Sequence, residues 1–175
     1  MNAASAQIID WADYEGQTVI LDFSGAPNED WYKYNAELYL QDLFRYRQSC
    51  FPEKGEPAPM LIVSDEFQNM NTKKGAALEK ILREGRKYGI ALWLASQLVE
   101  SDTGSKLKGI TDQCSMKVYF MAGTERAKKI ARMLSLSTSE KTKMQAQICS
   151  LKKREFVFQL NGNKPYKCIT NEVKK

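Results

Sequence analysis

Short apolar runs alternate along this chain with longer segments of helical periodicity, and this alternation limits the possible folds more than any other feature. Four runs have the length and the β-branched or aromatic content of strands, at residues 18–23, 60–63, 90–95 and 117–121. Helical patterns lie between them, at residues 31–47, 74–88 and 125–134. Because such repeats usually connect parallel strands, the order predicts an α/β fold with a mostly parallel sheet flanked by helices.

Residue types at the boundaries predict where several elements begin and end. Asn71 or Thr72 is expected to cap the second helix, Thr124 the third, and Gly89 to end the second helix in a left-handed turn. Residues 155–160 and 166–170 read as an antiparallel hairpin that turns at Asn161 and Gly162. The unbroken apolarity of the earlier runs predicts strands covered on both faces. Residues 52–59 read as a surface loop, and without a linker we expect one domain over residues 1–175.

Composition removes several classes of protein. Hydrophobic residues make up 43% and charged residues 27% of the 175 residues, as in ordinary folded proteins. No apolar run could cross a bilayer and no signal peptide is recognisable, so we expect a cytoplasmic protein without a membrane span. The complete lack of histidine disfavours Ser-His-Asp catalysis and histidine-rich metal centres. The cysteines are scattered and read as reduced thiols: Cys50, Cys114, Cys149 and Cys168.

Charge is distributed unevenly between the two halves. Residues 1–100 carry 10 Lys and Arg against 15 Asp and Glu, whereas residues 101–175 carry 16 against 6, so net charges of −5 and +10 sum to the overall +5. A basic half can face the phosphates of nucleic acid, although such runs also occur as solvated surfaces. The candidate basic residues are Lys106, Lys108, Lys128, Lys129, Arg132, Lys152, Lys153 and Arg154.

Two adjacent carboxylates, Asp65 and Glu66, directly follow the apolar run LIVS. Acidic residues there can simply favour the start of the next helix. They can also form a Walker B element, in which Asp65 holds Mg²⁺ and Glu66 polarises the water that attacks a nucleotide's γ-phosphate. Open parallel sheets bind ligands at their strand ends, which suits the second interpretation.

A basic helix end and a polar strand end follow the acidic pair in order. The stretch REGRKYG, with Arg83 and Arg86, leads into IALWLASQ, which finishes at Ser96 and Gln97. The amide of Gln97 could hydrogen-bond a γ-phosphate or the attacking water. Alternatively, the cations only complement a helix C-terminus and Gln97 is an ordinary loop residue.

The ordered series LIVSDE, REGRKYG and LASQ resembles the HerA/FtsK superfamily of P-loop ATPases, and VILDFSG resembles a strand of its HerA-like branch. The resemblance covers roughly residues 16–134. It implies a RecA-like core, with Asp65 as the magnesium ligand and Glu66 as the water-activating base. It also implies that Gln97 is the polar sensor and that Arg86, or as second choice Arg83, is an arginine finger for a neighbouring subunit's nucleotide.

The family's phosphate-binding loop, G-x-x-x-x-G-K-[ST], is absent from the sequence, which contains no Gly-Lys dipeptide. We therefore expect an incomplete core that lacks the first strand and the Walker A loop, with a sequence that starts after them. No residue is assigned to ATP binding. ATP and Mg²⁺ would act only in the full-length context, and these 175 residues alone should hydrolyse ATP negligibly.

The leading interpretation is the C-terminal portion of a motor ATPase that moves DNA, or alternatively protein as in secretion and conjugation. The resemblance implies self-association, as a homohexamer when full length. The missing phosphate loop also allows a partner chain that supplies it. A second interpretation is a non-catalytic interaction or assembly module on an ATPase-like scaffold. A third is a metal-dependent nuclease that uses Asp22, Asp65 and Glu66.

Overall fold

The computed structural model describes residues 9–50, 59–98, 108–134 and 136–170, and describes Lys108 by its backbone alone. The chain divides into two compact units, Met1–Ser96 and Gln97–Lys175. The helices and strands of the first unit are α1 (Glu29–Cys50), β1 (Met60–Ser64), α2 (Ala77–Glu84) and β2 (Ile90–Leu94). Those of the second are α3 (Lys108–Thr111), β3 (Met116–Tyr119), α4 (Thr124–Met133), α5 (Thr138–Cys149), β4 (Glu155–Leu160) and β5 (Tyr166–Ile169). None of the described helices has the length and apolarity needed to cross a membrane.

Helix α1 confirms and extends the first predicted helix. The side chain of Asn28 accepts a hydrogen bond from the Trp31 backbone N–H at 2.8 Å, which caps the helix. Glu29 and Asp30 follow in the first turn, where negative charge complements the helix dipole. The helix packs against α2 and buries one face, which consists of Ala36, Leu40, Leu43, Phe44 and Arg47.

Strands β1 and β2 form a parallel pair, in a register that runs from Met60 opposite Ile90 to Ser64 opposite Leu94. The pairing continues beyond the last strand residues, because Ala95 N–H donates to the Ser64 carbonyl at 2.9 Å. Helix α2 and the 3₁₀ segment Gly85–Tyr88 connect the two strands, and Gly89 ends this crossover with a φ of 69°. The strand–helix–strand prediction and the left-handed glycine are therefore confirmed here.

One face of this parallel pair is apolar and exposed. Burial alternates along both strands, and the exposed fractions are 48% for Leu61, 64% for Val63 and 64% for Trp93. The expectation of strands covered on both faces is therefore wrong for β1 and β2 within the described residues. The sequence pattern reports apolarity on both faces, whereas burial depends on which other elements pack there.

The predicted strand at residues 18–23 is wrong as well, since this segment has no regular secondary structure. A strand requires a neighbour for its hydrogen-bond ladder, and no described strand pairs with this segment. Ile20 is 84% exposed. At the end of the segment, Asp22 accepts a bond from Ser24 N–H at 2.8 Å and Phe23 contacts the aromatic rings of α1.

The second unit contains an antiparallel sheet in the order β3-β4-β5. The predicted hairpin is confirmed: β4 and β5 pair, and Asn161 and Gly162 have φ values of 49° and 71° at the turn. Strand β3, predicted for the parallel sheet, pairs antiparallel with β4 instead, from Met116 opposite Leu160 to Tyr119 opposite Val157. The partner of β3 is β4 of the later hairpin, and the sequence of β3 itself does not indicate this partner. The main core of this unit contains Ala127, Ile130, Ala131, Leu134, Met144, Ile148, Leu151 and Val157.

The predicted helix caps differ from those observed. Helix α2 begins at Ala77, after Gly75 with a φ of 86°, so Asn71 and Thr72 lie too early to cap it. Thr124 is the first residue of α4 and Gly123 is its N-cap. Helix α5 was not predicted, although Ser137 and Glu140 form the capping box that its sequence could have indicated. Nearly all of the predicted loop at residues 52–59 lies outside the described residues, as does Lys106.

Candidate functional site at the end of the parallel strands

The acidic pair lies directly after β1, where the chain leaves the sheet. Asp65 is exposed, and one of its carboxylate oxygens accepts the Glu66 backbone N–H at 3.0 Å. Glu66 has φ 52° and ψ 42°, in the left-handed region that residues with a side chain rarely adopt. Such conformations persist where the surrounding structure imposes them, and they often occur at functional sites. The backbone here points the two adjacent carboxylates in directions that an ordinary strand end would not give.

Backbone hydrogen bonds fix this turn to the neighbouring strand end. Phe67 is 4% exposed, and its N–H donates to the carbonyl of Ala95, just after β2, at 3.1 Å. The Asn69 N–H donates to the Glu66 carbonyl at 2.9 Å and closes the 3₁₀ turn Phe67–Asn69. The acidic pair is therefore anchored at the carboxyl end of the parallel strands, as the sequence predicted from the position of Asp65 after an apolar run.

Gln68 contacts the predicted base directly. Its Nε2 donates a hydrogen bond to Oε2 of Glu66. Its Oε1 is buried and accepts no hydrogen bond within the described residues, which is unusual because buried acceptors are normally paired. Sequence analysis missed Gln68, because the contact depends on the left-handed turn at Glu66, for which the sequence carries no clear signal.

The two candidate arginine fingers differ in their surroundings. Arg83 pairs with Glu79 of the same helix, with Nη1 and Oε1 3.5 Å apart and the Arg83 side chain 55% exposed. Arg86 lies on the 3₁₀ segment, is exposed, and makes no side-chain hydrogen bond or ion pair within the part of the chain that the structure describes. The segment lies close against β2, since a Cβ on the buried Gly85 would come within 3.3 Å of Ile90.

A buried arginine that sequence analysis also missed holds the end of this crossover. Arg47 of α1 is 4% exposed, and its Nε and Nη2 donate to the Tyr88 carbonyl at 3.2 and 2.9 Å. Cations at a helix end complement the carbonyls there. The contact spans 41 positions of sequence, so local pattern could not indicate it. Arg47 thereby fixes the segment that carries Arg86.

Gln97 is exposed and is the first residue of the second unit, three positions after the last residue of β2. The structure thus brings Asp65 and Glu66 together after β1 and places both arginines on the crossover to β2. The roles assigned to these five residues stay predictions.

The acidic pair could hold a divalent cation only if other groups, such as phosphate oxygens and water, complete its coordination. No group of three or more Cys, Asp or Glu side chains that could hold a metal occurs within the described ranges. Mg²⁺ at nucleotide sites, however, is typically held by one or two carboxylates together with phosphate oxygens and water. Asp65 is exposed and only its Oδ1 has a hydrogen-bond partner among the described residues, so its donor set fits that mode.

Comparison with solved structures finds two proteins of similar fold. The genome packaging NTPase B204 from Sulfolobus turreted icosahedral virus 2, solved in complex with AMPPCP, is similar with a TM-score of 0.58 and 15% identity, over 95% of this chain and 73% of B204. VirB4 of Thermoanaerobacter pseudethanolicus is similar with a TM-score of 0.56 and 18% identity, over 85% of this chain and 39% of VirB4. The fold is that of the HerA/FtsK-type motor ATPases, which confirms the resemblance seen in the sequence.

A family model described as the TraM recognition site of TraD and TraG matches residues 59–156. The chain belongs to this family. The match includes β1, the acidic pair, the crossover and β2, and it ends within β4. No curated protein sequence matches the chain. Together, the family and the fold relate this protein to conjugation and packaging motor ATPases.

Proposed function

We propose that this chain is part of an oligomeric motor ATPase that couples ATP hydrolysis to the translocation of DNA. The observation that carries the proposal is the acidic pair fixed at the carboxyl end of two parallel strands, with Glu66 in a left-handed conformation. Strained backbone of this kind is concentrated at active sites, ligand clamps and switch regions. The fold shared with B204, a genome packaging NTPase, supports the motor assignment.

In this proposal each predicted residue has a distinct role. Asp65 holds Mg²⁺, which would neutralise charge on the nucleotide phosphates. Glu66 accepts a hydrogen bond from the attacking water, and Gln97 hydrogen-bonds the γ-phosphate or the same water. Arg86 acts on the nucleotide of a neighbouring subunit, because its exposed side chain has no partner within the described residues. The pairing of Arg83 with Glu79 makes Arg83 the weaker choice.

The Walker A loop would come from residues outside these 175, on the same polypeptide or on a partner chain, because the sequence has no such motif. The small size of the parallel sheet supports an incomplete RecA-like core, because only β1 and β2 form it within the described residues. The same proposal treats residues 1–175 as a single partial ATPase domain.

Assembly and cargo follow from the same argument. An arginine that acts in trans requires an adjacent subunit, and a homohexamer is the ring that the family suggests. DNA as cargo agrees with the basic second half, in which Lys128, Arg132, Lys152 and Lys153 are exposed.

ATPase assays test the proposal on two preparations, the 175-residue chain alone and the chain together with the segment or partner chain that carries a Walker A loop. We expect no turnover from the chain alone and DNA-stimulated turnover from the assembly. Glu66→Gln should abolish that turnover without changing its assembly. Arg86→Ala should also abolish it, and mixing Arg86→Ala with Glu66→Gln subunits should restore part of it, since each supplies what the other lacks. Turnover by the chain alone, or full activity of Glu66→Gln, would contradict the proposal.

A second candidate function is protein recognition without catalysis, and the family description favours it because it names TraM recognition. The exposed apolar residues of β1 and β2 are compatible with a protein partner. In that case Glu66→Gln would change neither partner binding nor the ATP turnover of an assembly that contains the chain, whereas charge or alanine substitutions on a binding surface would weaken partner capture. The Glu66→Gln assay therefore separates the two functions.

A further inference from the structure

A cleft of about 380 Å³ between α1 and α2 is lined by an excess of positive charge. Arg45 of α1, Lys74 of the preceding loop and Lys80 and Arg83 of α2 contribute four cations, while Glu79 and Glu84 contribute two carboxylates. The volume is within the range of about 300–1,000 Å³ that is typical of ligand clefts. The lining residues come from three separate segments of the first unit, so the fold, and not a single basic run, assembles this charge.

Three of these cations have no counterion among the residues that the structure describes. Arg45, Lys74 and Lys80 are exposed and make no ion pair or side-chain hydrogen bond within the described ranges. This is unexpected in an acidic region, because residues 1–100 carry 15 acidic residues against 10 basic ones. A chain with an excess of carboxylates has many ways to pair three cations. Instead, Arg45, Lys74 and Lys80 line one cleft without an ion pair in the described ranges, which leaves the surface of this cleft positively charged.

The carboxylates of the cleft do not neutralise these cations. Glu79 is 9% exposed and both of its oxygens are engaged: one accepts Gly75 N–H at 3.2 Å and the other lies 3.5 Å from Arg83 Nη1. Glu79 therefore positions the loop of Lys74 and the side chain of Arg83. In the lining, Glu84 is then the one acidic group without a counterion among the described parts of the chain.

A second cleft, in the second unit, provides a comparison because its lining carries no excess of positive charge. It is somewhat larger, about 450 Å³, and its ionisable cation and carboxylate are Lys117 and Asp112, one of each sign. Its balanced charge gives no reason to expect an anion. In the α1–α2 cleft positive charge is in excess, and the concave surface concentrates the resulting electrostatic potential. This strengthens the attraction of a multiply charged anion. Arg and Lys together are the residues that bind phosphate groups most effectively.

We propose that the cleft between α1 and α2 is a binding site for phosphate groups, with Arg45, Lys74 and Lys80 as the contacting residues. It shares none of these three with the predicted nucleotide-hydrolysis residues. The phosphate can belong to a nucleic-acid strand or to a small phosphorylated ligand, since both present the same anionic oxygens. The site does not depend on the proposed ATPase activity.

The test titrates the 175-residue chain with pyrophosphate and, separately, with a single-stranded DNA 12-mer at low ionic strength. Binding is followed by amide chemical shifts, which also report that each variant is folded. The cleft pair Arg45→Gln/Lys80→Gln is compared with Lys33→Gln/Lys87→Gln, which removes the same charge from the same unit outside the cleft. The single substitution Lys74→Gln lies in an exposed loop before α2, so it tests the cleft without changing a helix residue. Lys128→Gln/Lys129→Gln tests the second unit.

We expect the cleft pair to weaken binding of at least one ligand by about tenfold or more, and the control pair by less than about twofold. Shifts at Gly75 and its neighbours should accompany binding. A loss confined to the 12-mer identifies a nucleic-acid strand, and a loss for pyrophosphate as well identifies a general phosphate site. Equal effects of the cleft and control pairs, or no binding of either ligand, would overturn the proposal. Binding of both ligands lost only with the Lys128/Lys129 pair would also overturn it, while leaving the proposed DNA motor intact.

Discussion

Glu37, in the middle of α1, accepts a hydrogen bond from the backbone N–H of Ala77, the first residue of α2, at 2.8 Å. The same oxygen accepts a bond from Gln41, which orients it. Because Ala76 has no side chain that could cap α2, a residue 40 positions away performs the capping. Replacing Glu37 with Ala should therefore lower the free energy of unfolding by about 1–2 kcal/mol, measured by urea denaturation.

A surface carboxylate on the same helix provides the control for Glu37. The Glu29 side chain is 84% exposed and forms one ion pair, with Lys33, among the described residues, so Glu29→Ala should cost less than about 0.5 kcal/mol. Glu37→Gln keeps an acceptor oxygen and should fall between the two alanine variants. Equal losses for Glu37→Ala and Glu29→Ala would show that the contact with Ala77 contributes nothing to stability.

Removing the buried cation at the end of the crossover should destabilise the first unit. Arg47→Met keeps much of the apolar packing but removes both donors to the Tyr88 carbonyl, so we expect a loss of about 1.5–3 kcal/mol. Arg45→Met, two residues earlier on the exposed face of α1, should change stability by less than about 0.5 kcal/mol. Thermal and urea unfolding of both variants check this, and the prediction fails if Arg47→Met is the more stable of the two.

The left-handed conformation of Glu66 predicts an unusual order of stabilities at that position. Glu66→Asn and Glu66→Ala both remove the bond from Gln68, but asparagine tolerates this conformation better, so Glu66→Asn should be more stable by about 1 kcal/mol. At Asp65, which lacks a positive φ, the Asn and Ala variants should differ by less than half of that. Urea unfolding of the four variants tests the order, and a Glu66→Ala protein as stable as Glu66→Asn would contradict it.

Stability should decline between about pH 4.5 and pH 2 through one carboxylate of the second unit. The side-chain bond from Lys164, followed by bonds from Ser137, lowers the pKa of Glu140 from its usual 4.5 to about 2. Because the folded pKa is below the unfolded one, this stabilisation is complete above pH 4.5 and is lost as the pH falls towards 2.

Glu140→Gln isolates that contribution, since glutamine does not titrate. The difference in unfolding midpoint between wild type and Glu140→Gln should be largest near neutral pH and should shrink as the pH falls to about 2, measured by circular dichroism. A difference that is constant over this range would exclude a role for Glu140 ionisation.

The sequence predicts the fold correctly where local pattern and local geometry coincide. β1, β2 and the crossover between them follow from apolar runs and a helical period, and the β4–β5 hairpin follows from Asn161 and Gly162. It failed at residues 18–23 and at the direction of β3, because a strand's partner is chosen by the tertiary structure and not by its own residues.

The candidate site divides in the same way. The position of Asp65 and Glu66 at a strand end was predictable, because their place in the chain fixes their place on the sheet. The contacts of Gln68 and Arg47 were not, since one depends on a left-handed backbone at Glu66 and the other on packing between α1 and the crossover. The sequence therefore indicates candidate residues for the chemistry, and the structure adds residues that contact or position them.

The exposed indole of Trp93 gives the protein an intrinsic optical probe. Of the three tryptophans, Trp11 is 8% exposed, Trp31 is 42% exposed and Trp93, beside Val63 on the apolar face of β1 and β2, is 64% exposed. An indole in water emits at longer wavelength than one in an apolar contact. Any chain that covers this face should shift the emission of Trp93 to shorter wavelength, so assembly could be followed in real time without a label.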